Sequence, residues 1–220
     1  MRTVSGSINC KHHLFTLKSR QIPGLIYNDS FVPHDLKALI TTLGGPTAFT
    51  NRLNYLHDNQ IAYIGNEPSF LTVFQYHYAG RPALSTLRAR SYVPSSFAPT
   101  PTGLPGNDDS GAMGSFVAMT MMGLFPNPGQ DVYLITTPFF PSVRIVSPVT
   151  GNAAVVTTEG FEAGNEKRVF IQKVLLNGRP YNRNWIEHQF FLDGGELVLF
   201  LGDEESDWGT GEDDVPPSYS

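Results

Sequence analysis

MGSFVAMTMMGLFPNPGQDVYLI, residues 113–135, is where the chain changes its period. Met113, Phe116, Val117, Thr120, Met121 and Leu124 recur at helical spacing, and that helix is expected to stop before Pro126. Pro126-Asn127-Pro128-Gly129-Gln130 is a turn cluster, and Val132-Tyr133-Leu134-Ile135 after it is a short β-prone run. Reading upstream, Leu36, Leu39, Ile40 and Leu43 follow Pro33 at helical spacing, and Gly44-Gly45 ends that segment. Pro46-Thr47 restarts a second helix with Phe49, Leu53 and Leu56 on one face, so residues 33–58 read as an antiparallel helical hairpin. A third helix, Pro68 to Tyr78, is apolar on all sides and therefore interior; it closes at Gly80-Arg81-Pro82, and Pro94–Gly106 is a loop.

Downstream, Val143–Val146, Ala154–Val156, Val169–Ile171 and Leu197–Leu201 are further β-prone runs separated by Gly, Pro and Asn turns. Helices first and strands second predict an α+β fold. The expected organisation is an atypical, poorly ordered segment over 1–30, a helical part over 31–126, an antiparallel β region over 127–202 and an acidic tail over 203–220.

The formal charge of −5 comes from that tail. Seven of the 20 acids lie in residues 203–214, leaving thirteen against 15 Lys and Arg in residues 1–202, a body charge of +2. Such a body carries no electrostatic footprint for nucleic acid. No apolar run approaches the roughly 18 residues needed to cross a bilayer, so no membrane partner is expected. The N-terminus as written lacks the apolar stretch of a secretory signal. Cys10 stands alone, excluding an internal disulfide, and no Cys/His cluster has zinc spacing. The one glycosylation acceptor triplet, Asn28-Asp29-Ser30, is a near-chance match in a chain of this length.

Two segments share one design: Gly65-Asn66-Glu67-Pro68-Ser69 and Gly106-Asn107-Asp108-Asp109-Ser110-Gly111. Each sets Gly-Asn-acid where a loop enters a helix. Glycine permits the turn, Asn supplies an amide, and the carboxylates lie near helix N–H groups that favour negative charge. Helix capping accounts for either alone. Together, three carboxylates and two carboxamides suit either activation of water for sugar hydrolysis or the holding of a hard cation such as Ca²⁺, and the pattern does not choose between them. His34-Asp35, at the start of the first helix, offers a further contribution or another cap. No serine-hydrolase elbow, phosphate-binding loop or dinucleotide fingerprint is present.

Val32-Pro33-His34-Asp35, Gly44-Gly45, Gly65–Ser69, Tyr78-Ala79-Gly80, Leu104–Met113, Gly123–Pro126 and Tyr133–Ile135, in that order, resemble the C-terminal part of family 92 glycoside hydrolases over residues 31–202. The resemblance implies a calcium-dependent, inverting exo-α-1,2-mannosidase acting on mannose-containing glycans. Its fold would be an N-terminal β-sandwich followed by an (α/α)6 barrel, of which this chain would hold the last helices and the terminal strands. It implies that Asp109, with Asp108 beside it, is the general base. His34, Asp35 and Asn107 would contact substrate, and Asn66 and Glu67 would line the Ca²⁺ and mannose pocket, where the ion grips the sugar's O2 and O3. Full-length relatives are expected to be secreted. One departure stands out. The family's general acid lies in a Glu-Gly-(Asn/Ser)-x-x-Trp segment upstream of Val-Pro-His-Asp, and Ile22–Asp29 holds neither Glu nor Trp. An inverting hydrolase needs acid and base carboxyls roughly 6.5–9.5 Å apart. With the acid absent, this chain alone is expected to have little or no activity. The other reading is a calcium-assisted carbohydrate-binding pseudoenzyme or a structural fragment.

Overall fold

Proline opens three of the helices. The computed structural model describes residues 31–220. Within them α1 spans Leu36–Thr42, α2 Pro46–Asp58, α3 Pro68–Phe74, α4 Pro82–Ser96 and α5 Ala112–Met122. Pro46, Pro68 and Pro82 each take the first helical position, where the missing N–H leaves no bond unmade. The segment 1–30 expected to be atypical, with Cys10, Ile22–Asp29 and the Asn28–Ser30 triplet, lies outside the described residues.

The structure adjusts four of the sequence expectations for these elements. Pro33-His34 forms a turn, and α1 begins only after Asp35, whose carboxylate accepts the Ala38 N–H at 3.2 Å. α3 gives way to a 3₁₀ turn over Gln75–Ala79, which ends at Gly80 in the left-handed region. Gly123, with φ +79°, stops α5, so Leu124 leaves the helix for a strand. The fourth difference is α4, which lay in an unassigned stretch running into the expected loop. Its buried positions are Pro82, Ser85, Thr86, Ala89 and Val93. Their spacing is helical, but small and hydroxyl-bearing residues occupy it, so no hydrophobic stripe announces the helix.

The strands are β1 Leu124–Pro126, β2 Tyr133–Ile135, β3 Ser142–Val146, β4 Ala153–Glu159, β5 Phe170–Leu176, β6 Arg179–Pro180, β7 Trp185–Ile186 and β8 Glu196–Gly202, with α6 at Gln189–Asp193. They form a three-stranded sheet in the order β1-β2-β7 and a five-stranded sheet in the order β3-β4-β8-β5-β6. Pairing is antiparallel except between β4 and β8, which run parallel, a departure from the wholly antiparallel region expected. Alternation along the small sheet sets the layering. Phe125, Leu134 and Trp185 face the core that contains Phe49, Leu53, Phe74, Tyr76 and Phe116. Their chain neighbours Leu124, Ile135 and Ile186 face the core under the large sheet, with Val156, Leu197 and Leu199. The small sheet is thus the middle layer between helices and large sheet, with strands drawn from both sides of residue 126.

Residues 203–220 fold back over both layers. Trp208 is buried and its Nε1–H donates to the Tyr181 carbonyl at 2.9 Å, while Trp185 Nε1–H donates to the Val215 carbonyl at 3.1 Å. The Gly80 turn lies against the Thr210 carbonyl, which would be only 2.8 Å from a Cβ there. No helix among the described residues is long and apolar enough to cross a membrane.

Two imidazoles lock the helical layer. His77 is fully buried; its Nε2 lies 2.8 Å from the Ile135 carbonyl and its Nδ1 2.9 Å from Ser85 Oγ. His57 Nε2 lies 3.2 Å from the Thr72 carbonyl and Nδ1 2.9 Å from Tyr92 Oη. A carbonyl only accepts, so in the neutral His57 ring Nε2 carries the hydrogen and Nδ1 takes the Tyr92 hydroxyl's, whereas His77 Nδ1 also lies 3.0 Å from the Phe74 carbonyl, so that carbonyls flank both of its nitrogens. Burial lowers both pKa values from 6.5 to about 4. Both states are neutral above pH 6.5, and stability is complete there. Below it the unfolded chain takes up protons first, so stability falls until the pH reaches about 4. At pH 5.5 each histidine is expected to cost about 1.4 kcal/mol. Urea midpoints at pH 7.0 and 5.5 check this; equal midpoints would contradict it.

Candidate functional site

The two Gly-Asn-acid segments meet. Gly106 lies so close to the Gly65 carbonyl oxygen that a Cβ there would overlap it, and would also fall 3.0 Å from the Gly65 carbonyl carbon and 2.8 Å from Met113 Cε. The Tyr63 hydroxyl donates to the Pro105 carbonyl, joining the same two loops a second time. Tyr63 also organises its own loop, its carbonyl accepting Asn66 N–H at 3.1 Å and Ser69 Oγ–H at 2.6 Å.

Although alike in sequence, the segments differ in use. Asp108 does cap: its Oδ1 accepts Gly114 N–H at 3.1 Å, in the first turn of α5, and its carbonyl accepts Ala112 N–H at 2.7 Å. Glu67 takes the cap position of α3 with helical dihedrals and makes no side-chain cap bond. Its Oε1 is shielded from solvent and has no hydrogen-bond partner among the described residues. Asp109, Ser110 and Gly111 follow with φ +41°, +66° and +92°. Two successive non-glycine residues there store roughly 1–3 kcal/mol of strain each, of the kind that gathers at functional sites. That backbone path sends Asp109 out to solvent beside the half-buried Asp108, and Asn107 and Asn66 are exposed on the same two loops.

His34 and Asp35 are anchored to the end of the chain. The His34 carbonyl accepts Tyr219 N–H at 3.2 Å and Gln130 Nε2–H at 3.3 Å. Besides capping α1, Asp35 Oδ1 accepts Ser218 Oγ–H at 3.0 Å and Ser220 Oγ–H at 2.7 Å. The Ser220 hydroxyl, aided by Ala38 N–H and Ser218 and opposed by desolvation, holds the Asp35 carboxyl below the usual carboxylate range. In this structure Asp35 ties the start of α1 to the end of the chain, while the exposed His34 imidazole faces solvent.

Among the described residues no three His, Cys, Asp or Glu side chains gather closely enough to hold a metal. The orphaned Glu67 oxygen nevertheless has the chemistry of a hard-cation donor, since a buried carboxylate oxygen without a hydrogen-bond donor is costly unless a charge meets it. Asn66 adds a second oxygen donor on the same loop.

Residues 26–203 match the model of the glycosyl hydrolase family 92 catalytic domain. The chain belongs to this family. Over 195 residues it is 62% identical to an uncharacterized secreted glycosidase of Arthroderma benhamiae, a match covering 89% of this chain and 25% of the relative. The fold is shared with a family 92 α-mannosidase of Bacteroides thetaiotaomicron solved with mannoimidazole: TM-score 0.80, 22% identity, 89% of this chain and 27% of that one. A family 92 inverting mannosidase of the same bacterium matches with TM-score 0.78 and 27% identity, over 88% of this chain and 29% of its own. The chain therefore spans about a quarter of the length of these family 92 relatives.

Sequence reasoning found the acids of this family 92 segment but passed over Tyr63, which fixes the seam between them. Its only signal was an aromatic residue two positions before Gly65.

Proposed function

We propose that this chain is the base-bearing part of an inverting, Ca²⁺-assisted α-mannosidase that removes terminal α-1,2-linked mannose from glycans. The carrying observation is the seam itself: Gly106 against Gly65, with Asp109 delivered to solvent by left-handed backbone while Asp108 is spent on the α5 cap. An ionised carboxylate so placed can take a proton from water on the face of the sugar opposite the leaving group. Asp108 anchors the loop that presents it. Asn107 and Asn66 offer amides to sugar hydroxyls. Glu67 and Asn66 would hold Ca²⁺, which when bound supplies a positive charge for the sugar's O2 and O3 and favours ring distortion toward the oxocarbenium-like transition state. His34 and Asp35 belong to this reading as a more distant substrate contact, reached through the α1 start they fix. The helices α1–α5 would be the last of an (α/α)6 barrel, and the full-length protein would be secreted, as the Arthroderma relative is named.

The acid is the missing half. With neither Glu nor Trp in Ile22–Asp29, nothing in the proposed scheme protonates the departing oxygen. The 220-residue chain incubated with α-1,2-mannobiose and Ca²⁺ is therefore expected to release no mannose above background, while calorimetry detects mannose binding that requires Ca²⁺. Robust calcium-dependent turnover abolished by Asp109→Asn would overturn the missing-acid reading. Absence of binding would leave a structural fragment.

A further inference from the structure

Resting on the glycosidase reading above, we propose that Tyr63 is a carbohydrate-stacking platform that receives a pyranose ring at the seam between the two acidic loops. Its side chain is tethered at the tip by the hydrogen bond to the Pro105 carbonyl. It is braced along its body by Gly65, where an added Cβ would come within 2.7 Å of ring atom Cε1. Despite two anchors the residue stays 57% exposed, and Leu104 beside Pro105 is 43% exposed. An exposed aromatic ring is thus held in place, its backbone on the loop that carries Asn66 and Glu67 and its hydroxyl on the loop that leads into Gly106–Asp109.

Such a ring suits a sugar. The π-face carries partial negative charge and attracts the weakly positive C–H face of a pyranose, while hydroxyls around the sugar's edge reach neighbouring amides and carboxylates. Because the orientation is already fixed by Pro105 and Gly65, little side-chain freedom is lost on binding. The glycine at position 65 then has a specific purpose: any side chain there would displace the platform.

The test is a nuclear magnetic resonance titration of the 220-residue chain with α-1,2-mannobiose in Ca²⁺. Tyr63 ring resonances, identified by their loss in Tyr63→Phe, are expected to shift with the sugar's binding curve and to pass saturation to its C–H protons. Tyr63→Phe keeps the ring and should bind within about twofold of wild type, whereas Tyr63→Ala should weaken binding roughly three- to tenfold. A purely structural tyrosine would instead leave the sugar protons unsaturated from the aromatic region in the wild-type chain, a readout that needs no variant to fold. If the wild-type chain binds and Tyr63→Ala binds equally well, the platform alone fails. If the wild-type chain binds no mannobiose, the glycan reading fails with it.

Discussion

Asp109→Asn is expected to lower kcat by about 10³-fold, with KM changed by no more than a few-fold, once the acid is restored. The setting is a chimera in which residues 31–203 replace the matching segment of the Arthroderma benhamiae glycosidase, so that the relative's own upstream chain stands in place of Ile22–Asp29. Asparagine keeps the shape of aspartate and the left-handed backbone, which both residues tolerate, and removes only the basic oxygen. Mannose release from α-1,2-mannobiose by the chimera and its variant checks the value. A loss below tenfold would mean that another group activates the water. Asp108→Asn, which leaves the α5 cap with a neutral acceptor, should cost much less, because Asp108 acts through the position of its neighbour.

Gly106→Val should be the most damaging single substitution at the seam for folding and activity together. The φ of Gly106 lies outside the left-handed region, so the argument is steric alone. The new Cβ meets the Gly65 carbonyl, which is backbone and fixed at the mouth of α3, and the valine methyls add to the overlap. Overpacking of this kind costs about 3 kcal/mol. Separating the loops by even 1 Å would also move Asp109 relative to Glu67, a displacement worth about 10² in rate. Thermal unfolding and chimera turnover together check it. At Gly111, by contrast, no atom lies near an added Cβ, and only the φ of +92° opposes a side chain, so Gly111→Ala should be milder. Equal damage at both positions would show that the Gly106–Gly65 contact is not what holds the seam.

Much of the fold was legible because local chemistry agreed with it. Pro46 and Pro68 open their helices, Gly44-Gly45 and Gly80 close two, and the β-prone runs became strands near their expected bounds. What could not be read depends on distant partners. α4 hides because Ser85 and Thr86 are core residues, Ser85 through its bond to His77, and polar side chains do not register as a stripe. The parallel β4–β8 pairing joins segments about 40 residues apart, beyond any local signal. The site shows the same division. The two Gly-Asn-acid motifs were visible as motifs, whereas their meeting at Gly65 and Gly106 is a tertiary fact. The capping role of Asp35 was legible, whereas its remaining partners lie 183 and 185 residues away.

The stereochemistry of the first product tests the base most directly. Proton spectra recorded within the first minutes of hydrolysis of methyl α-1,2-mannobioside by the chimera, a substrate whose second ring stays locked as a methyl glycoside, should show β-mannose appearing first and the α anomer growing later by mutarotation. That order requires water to attack from the face opposite the leaving group, activated by Asp109. Initial appearance of α-mannose would make the carboxylate a nucleophile and contradict the account.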